Sequence, residues 1–213
     1  MLVNKIGMQH LEIGKNCQDY GFKNEHIKLV CDGCSEGKHT EVGAKSFCHL
    51  VSYNTEDMTI FEIFEKLIGL FGQSAKSIKD FLCFTILSVV EKDTEFSVHY
   101  CGDGYIILVD NNDEIVFEEL DDGEYPEYFA YNYCDQNSLK YYKEGVKISK
   151  KNYPKELYKN VGVASDGVRF ILNSTDELKN EFFELMKLGN AVKIKRFINR
   201  NQKIFKDDTT IVL

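Results

Sequence analysis

Aspartates lie at the ends of short, strand-like apolar segments in this chain. The apolar segments at 27–31, 161–164 and 211–213 each adjoin an acidic motif. Carboxylates held at the ends of rigid strands are the ligands that hard divalent cations such as Mg2+ and Mn2+ prefer. The motifs are too far apart for a local loop site, so only the fold can assemble one. Hydrolytic metal chemistry is therefore the leading hypothesis, with four candidate aspartates: Asp19, Asp32, Asp166 and Asp207.

The composition predicts one domain over 1–213. A chain of 213 residues with 43% hydrophobic residues can bury a substantial core, and no Pro/Gly/Ser-rich linker divides it. The net charge of -8 disfavours nucleic acid as a partner, because a phosphate backbone selects a basic face. A phosphorylated protein stays compatible with this charge if metal ions supply local positive charge.

Targeting signals are absent from the sequence pattern. No signal-peptide core follows the first residues, and no apolar run approaches the length of a membrane span. We therefore expect a cytoplasmic protein without a membrane partner. The seven cysteines are an odd number with irregular spacing, which predicts reduced thiols.

The pattern of apolar residues predicts strands in runs, with pairs of helices between the runs. Helical spacing is clearest over 60–71, whereas 81–89 is typical of a strand buried on both faces. Thr40 is a candidate N-cap, and residues 110–113 form a predicted hairpin turn. This order indicates an α+β fold. Predicted strands are 2–8, 27–31, 81–89, 96–101, 105–109, 114–120, 161–165 and 209–213; predicted helices are 40–52, 60–71, 174–187 and 190–201.

Several short motifs together resemble the metal-dependent serine/threonine protein phosphatases of type 2C, the PPM family. No single motif is specific, but their order and spacing over nearly the whole chain are. The motifs are Cys17-Gln18-Asp19, Cys31-Asp32-Gly33, Thr40-Glu41-Val42-Gly43-Ala44, Thr85, Cys101-Gly102-Asp103-Gly104, Ser165-Asp166-Gly167 and Asp207-Asp208-Thr209.

The resemblance implies a four-layer αββα fold: a β-sandwich of two antiparallel sheets, flanked by helix pairs, with metal ions at one end. It implies that Asp32 bridges two metal ions and that the Gly33 carbonyl binds one of them. Asp166 and Asp207 would then hold one ion, while Asp19 supports the other.

The resemblance also implies a third, weaker metal site at Asp103, so that two or three Mn2+ or Mg2+ ions would bind. Two bridged metals can lower the pKa of a shared water and stabilise charge on the phosphoryl oxygens. Any one of these aspartates alone would be a turn or cap residue, and Asp113 and Asp121-Asp122 are interpreted so.

The family's phosphate-binding arginine, shortly before the first acidic motif, is missing. The chain has only three arginines, at positions 169, 196 and 200. His10 and Lys15 are therefore the candidates for binding phosphate, and His10 also for protonating the leaving group. The alternatives are a histidine satisfied by backbone groups and a solvated loop lysine.

The sequence leaves two features without an assigned role: Cys34 and a tyrosine-rich segment. Cys34 lies where family members often carry methionine or histidine, so the usual general acid is absent from this position. Cys31 and Cys34 have the spacing of a metal-binding pair, but without a second cysteine pair they do not predict a zinc site.

Eight of the twelve tyrosines lie between 125 and 158. This part of the segment 121–160 is either a variable flap that recognises substrate or an irregular packed excursion.

The sequence thus predicts a phosphatase that hydrolyses phosphoserine or phosphothreonine in proteins through a metal-activated water. Its partner kinase cannot be identified from the residues. One alternative is a pseudophosphatase that binds phosphoproteins or regulates without turnover. The retained carboxylates argue against it, because they repel one another without metal. The other alternative is a phosphomonoesterase for a small metabolite.

Overall fold

A computed structural model describes residues 1–53, 59–120, 123, 127–134, 142 and 144–213. In this part of the chain the strands are β1 (Leu2–Lys5), β2 (Tyr20–Lys23), β3 (Ile27–Cys31), β4 (Ile86–Glu91), β5 (Glu95–Cys101), β6 (Gly104–Asp110), β7 (Ile115–Leu120), β8 (Ser149–Pro154), β9 (Tyr158–Ala164) and β10 (Thr209–Val212). The helices are α1 (Met8–Glu12), α2 (Thr40–Tyr53), α3 (Ile60–Phe71), α4 (Ala75–Ser77), α5 (Arg169–Leu172), α6 (Asp176–Lys187) and α7 (Ala191–Arg200).

The strands form two antiparallel five-stranded sheets, which confirms the predicted α+β sandwich. One sheet has the order β1-β10-β9-β6-β7 and the other β2-β3-β4-β5-β8. The chain therefore leaves one sheet and enters the other several times. The strand ends that carry acidic motifs belong to both sheets, so a site between them needs the complete sandwich.

Alternation along the central strands builds the layers. In β3, Val30 packs between the sheets while Leu29 and Cys31 pack under the helices of the outer layer. In β6, Ile106 lies between the sheets while Ile107 faces the other helix layer. Strands buried on both faces produce the nearly continuous apolar runs of the sequence.

The outer layers are the helix pairs α2/α3 and α6/α7. Phe47 of α2 and Phe64 of α3 pack against each other with their rings tilted, the ring centroids being 5.7 Å apart. On the opposite side, Phe182 of α6 and Phe197 of α7 lie 5.9 Å apart. The helices thus cover the outer faces and leave the strand ends open for a site.

Helix ends follow local capping chemistry. The Thr59 and Glu62 side chains form a capping box at α3, and the Asn190 side chain caps α7. Thr40 is the first residue of α2, and its hydroxyl accepts from Gln18 Nε2 at 2.6 Å and donates to the Cys34 carbonyl. None of the described helices is long and apolar enough to cross a membrane.

The structure shortens two predicted strands and adds two strands that the sequence analysis did not predict. The strand predicted over 2–8 ends at Lys5, because Lys5 pairs with Thr209, the first residue of the partner strand β10. The strand predicted over 81–89 begins at Ile86, after a π-helical turn at Ile78–Leu82. Strands β2 and β8 were not predicted, since both lie at sheet edges and bury too few side chains to alternate clearly.

Two predicted loops differ in how far the structure describes them. The turn at 110–113 is confirmed: Asp110 Oδ1 accepts from the Asn112 and Glu114 amides at 2.8 Å each, and Asp113 has φ +67°. Of the flap predicted over 121–160, a 3-10 turn (Phe129–Tyr133) packs under α3, and β8 joins a sheet. Residues 121–122, 124–126, 135–141 and 143, which include Asp121-Asp122, lie outside the described residues.

Candidate metal centre

Asp32 follows the last residue of β3, where the neighbouring chain fixes its backbone. The Asp32 amide donates to Thr85 Oγ1 at 3.1 Å, and the Thr85 amide donates to the Asp32 carbonyl at 2.8 Å. This double contact ties the end of β3 to the segment that enters β4. The Asp32 carboxylate therefore projects from a rigid position.

Asp19 lies just before β2 and is only 3% exposed. Its Oδ2 accepts a hydrogen bond from Ser165 Oγ at 2.5 Å, and that hydroxyl accepts from the Thr210 amide at 2.9 Å. Thr210 lies in β10 of the opposite sheet, and Ser165 directly follows β9 of that sheet. Asp19 thus lies at the seam between the two sheets.

Asp207 and Asp208 precede β10 and have different surroundings. Asp208 is 2% exposed; its Oδ1 accepts from the Gly7 amide at 2.7 Å, and its Oδ2 accepts from the Gln18 amide at 2.5 Å. Asp207 is partly exposed, and its Oδ1 accepts from the amide of Asp208 at 2.9 Å. Asp208 therefore fixes the loop, while Asp207 faces the other carboxylates.

The predicted aspartates converge. The Asp32 carboxyl lies close enough to the carboxyls of Asp19 and Asp166 to interact directly with both, and the charge of Asp207 acts on it as well. Four acidic residues from three distant parts of the sequence thus form one cluster at one end of the sandwich. We refer to Asp19, Asp32, Asp166 and Asp207 as the acidic cluster.

Burial and mutual repulsion act on the pKa values of the acidic cluster. Burial raises the pKa of the Asp19 carboxyl to about 8, with a further contribution from the Asp208 charge. Burial also raises the pKa of Asp32 well above its ordinary range, and neighbouring carboxylates raise it further. The pKa of Asp166 is raised by burial, although the nearby Arg169 guanidinium opposes this. Without a bound cation the cluster thus retains protons.

The donor set fits a hard divalent cation. Asp19 Oδ1 is buried and receives no hydrogen bond from the described residues, and its near neighbour Asp32 is an acceptor when ionised. A buried acceptor that faces a second carboxylate is costly unless a proton or a cation is shared between them. The ligands are oxygens, which suits Mg2+ or Mn2+.

Gly33 occupies a position that accepts no side chain. Its amide donates to the Gln18 carbonyl at 3.2 Å, and a Cβ would lie 2.5 Å from Thr40 Oγ1. This close packing holds the backbone beside Asp32 in place. The Gly33 carbonyl as a metal ligand stays a prediction.

Asp103 lies in the turn between β5 and β6, between Gly102 at φ +92° and Gly104 at φ +139°. Its partner is a residue that the sequence analysis did not assign to the site. Arg169 Nη2 lies 3.6 Å from Asp103 Oδ2 and 3.0 Å from Asp166 Oδ2. The sequence feature that could have identified Arg169 as a site residue is its position three residues after Asp166, where a short helix begins.

His10 and Lys15 both contact protein groups, and their role in binding phosphate stays a prediction. His10 lies in the helix α1, two residues beyond the strand predicted over 2–8, is 6% exposed, and places Nδ1 2.9 Å from Asp208 Oδ2. Its ring lies within 4.8 Å of the Asp207 and Asp208 carboxylates. Lys15 is half-buried, and its ammonium donates to the Ser35 carbonyl.

The seven cysteines, all among the described residues, are not paired in disulfides. Cys31 is buried in the core beneath α2, with its sulfur 3.8 Å from that of Cys48, as expected for a core strand residue. Cys34 is half-buried, and its amide donates to the Cys83 carbonyl at 2.9 Å.

Comparisons with solved structures agree with this architecture. A bacterial serine phosphatase superimposes with a TM-score of 0.65 at 13% identity, covering 99% of this chain and 94% of the other. The serine/threonine phosphatase Stp1 from Staphylococcus aureus gives 0.59 at 14% identity, covering 99% and 92%. The catalytic domain of the serine threonine protein phosphatase PstP, in complex with two manganese ions, gives 0.57 at 15%, covering 99% and 94%.

At these identities the structural matches show a shared fold. No curated protein sequence matches the chain. The family model for protein phosphatase 2C, in contrast, matches residues 6–202, which include the complete acidic cluster except Asp207. The chain therefore belongs to the protein phosphatase 2C family.

Proposed function

We propose that this protein is a metal-dependent phosphatase that removes phosphate from phosphoserine and phosphothreonine in proteins. The observation that carries the proposal is the contact of the Asp32 carboxyl with both Asp19 and Asp166. Such mutual repulsion is unfavourable for a protein that only needs to fold, and a bound cation relieves it.

The acidic cluster would hold the metal ions. In this proposal Asp32 would be shared by two ions, Asp19 and the Gly33 carbonyl would help to hold one of them, and Asp166 and Asp207 would hold the other. Asp103 is the candidate for a third ion. When bound, Mn2+ or Mg2+ supplies an acidified water and charge stabilisation at the phosphoryl group.

The residues around the acidic cluster keep its geometry fixed. Thr85 holds the Asp32 backbone from both sides, and Ser165 orients one oxygen of Asp19. Asp208 fixes the loop before β10 through the Gly7 and Gln18 amides. Preorganised carboxylates need little rearrangement during the reaction, which lowers its barrier.

His10 and Lys15 have different roles in this proposal. The contact of His10 with Asp208 and its burial favour a positioning role over proton transfer to substrate. The half-buried Lys15 closes the loop after Asp32 through Ser35 and remains the candidate for an electrostatic contribution.

The test is hydrolysis of a phosphothreonine peptide and of an aryl phosphate by the purified protein, with Mn2+, Mg2+ or EDTA. We expect metal-dependent release of phosphate from both, and none from Asp32→Asn. A protein that binds the phosphopeptide without turnover would be a pseudophosphatase. One that hydrolyses only small phosphomonoesters would contradict the protein substrate, and with it the need for a kinase that supplies that substrate.

A further inference from the structure

Arg169 places a permanent positive charge at the edge of the acidic cluster. It is the first residue of α5, directly after the 3-10 turn (Asp166–Val168) that begins with a cluster aspartate. Its Nη2 lies 3.0 Å from Asp166 and 3.6 Å from Asp103, and so links two acidic motifs. Such a group affects any anion that approaches the acidic cluster.

The guanidinium retains capacity for a further ligand. Arginine has five N–H donors in a planar fork, and the ion pairs to Asp103 and Asp166 both involve Nη2. Nε is buried and has no hydrogen-bond acceptor among the described residues. The side chain is nevertheless 41% exposed, so an incoming ligand can reach the fork.

The other cationic candidates near the acidic motifs have protein partners. Lys15 donates to the Ser35 carbonyl, and His10 contacts Asp208. The remaining arginines are on α7, where Arg200 pairs with Glu181. Among the described arginines, only Arg169 contacts the acidic cluster.

We propose that Arg169 binds the phosphoryl oxygens of the substrate, a role that rests on the proposed function. A guanidinium matches a phosphate with two parallel hydrogen bonds, which supplies orientation as well as charge. In the structure the two carboxylates compete for this group. Cations bound to those carboxylates would weaken that competition and leave the fork to an anionic ligand.

The proposal predicts that substitution of Arg169 weakens the binding of phosphate without weakening the binding of Mn2+. Arg169→Gln removes a positive charge next to Asp166, so Mn2+ should bind the apo protein as tightly as before or more tightly. Inorganic phosphate should bind the Mn2+-loaded protein at least about tenfold more weakly. Both affinities are measured by isothermal titration calorimetry.

Two further variants complete the experiment. Arg169→Lys keeps the charge without the fork and should lose part of the phosphate affinity, which also serves if Arg169→Gln does not fold. Arg196→Gln, on the exposed face of α7, should change neither affinity. Phosphate affinity within about twofold of wild type in Arg169→Gln, or equal losses of Mn2+ and phosphate affinity, would overturn the role of Arg169.

Measuring hydrolysis by the wild-type protein distinguishes failure of the role of Arg169 from failure of the proposed phosphatase activity. If the wild-type protein hydrolyses the phosphothreonine peptide while Arg169→Gln binds phosphate normally, only the role of Arg169 fails. If the wild type binds Mn2+ and phosphate with the predicted dependence on Arg169 but hydrolyses nothing, the anion site stands and the phosphatase activity fails.

Discussion

His10 Nδ1 lies 2.9 Å from Oδ2 of Asp208, and the two side chains are 6% and 2% exposed. The same carboxylate accepts the Gly7 and Gln18 amides, so it ties together α1, the segment before β2 and the segment before β10. Because Asp207 directly precedes Asp208 in the chain, this buried contact also fixes the position of one member of the acidic cluster.

We therefore expect His10→Ala to act through stability and geometry. Loss of a buried hydrogen bond to a charged group costs about 1.5–3 kcal/mol, which lowers the melting temperature by roughly 3–12 °C for a domain of this size. Turnover of an aryl phosphate and of a phosphothreonine peptide should fall by similar factors. Thermal unfolding and the two rates check this expectation.

His10→Asn is the matched control for this variant. Its side-chain amide can still donate to Asp208 and should restore part of both stability and turnover. An aryl phosphate needs little protonation of its leaving group, whereas the alkyl phosphate of a peptide needs much. A loss confined to the peptide would therefore identify His10 as the general acid and contradict the positioning role.

Asp32→Asn tests the centre of the acidic cluster. The substitution removes one of several mutually repelling carboxylates, so the apo protein should unfold at the same or a higher temperature. Turnover should fall by at least about 100-fold, because a bridging ligand of both ions is lost. Asp93→Asn, in the exposed connection between β4 and β5, is the control and should change neither quantity. Retention of most of the activity by Asp32→Asn would exclude the bridging role.

The stability of the apo protein should depend on pH through Asp19. Its carboxyl has a pKa of about 8 in the folded state against 3.8 as the ordinary value, so the folded state binds more protons between these values. The free energy of unfolding therefore decreases as pH rises from about 4 to 8, by at most about 1.4 kcal/mol per pH unit for one proton. Saturation with Mn2+ should remove this decrease.

Comparison with Asp19→Asn isolates this contribution. The Met1 amino group has its pKa lowered from 8.0 to about 5, so it stabilises the folded state as pH rises and opposes Asp19 in wild type. The difference between wild type and Asp19→Asn in EDTA cancels that effect. Thermal unfolding at several pH values should show wild type losing stability relative to Asp19→Asn up to pH 8, and a constant difference would refute the assignment.

The sequence predicts the core of the fold well because its central strands are buried on both faces. Val30 and Ile106 lie between the sheets while their neighbours pack under helices, and this produces long apolar runs. Edge strand β8, with the exposed Ser149 and Lys150 and the buried Tyr153, lacks that signal. The early end of β1 depends on where its partner strand β10 begins, at Thr209, which is distant in sequence.

For the candidate site, acidic residues at strand ends are visible in the sequence, but their partners are not. Asp19 and Ser165 meet across the seam between the sheets, 146 positions apart in the chain. Arg169 is distant in sequence from the first acidic motif, but in the fold it contacts Asp103 and Asp166, two other acidic motifs. Contacts of this kind depend on the order of strands in the two sheets, which local patterns do not specify.

Asp103 supplies the last prediction. Its side chain is 36% exposed and its contact with Arg169 is the longer of that residue's two ion pairs, so Asp103→Ala should leave folding nearly unchanged. As the ligand of a third, weaker ion, Asp103 should contribute to turnover and not to occupancy of the other two sites. We expect turnover to fall about 10- to 100-fold while the tightest Mn2+ affinities stay within about twofold. Glu184→Ala, which removes an exposed carboxylate from α6, should leave both unchanged. If Asp103→Ala weakens Mn2+ binding at every site alike, Asp103 is a ligand of the tightly bound ions and not of a third one. If turnover is unaffected, Asp103 acts only as a counter-ion to Arg169.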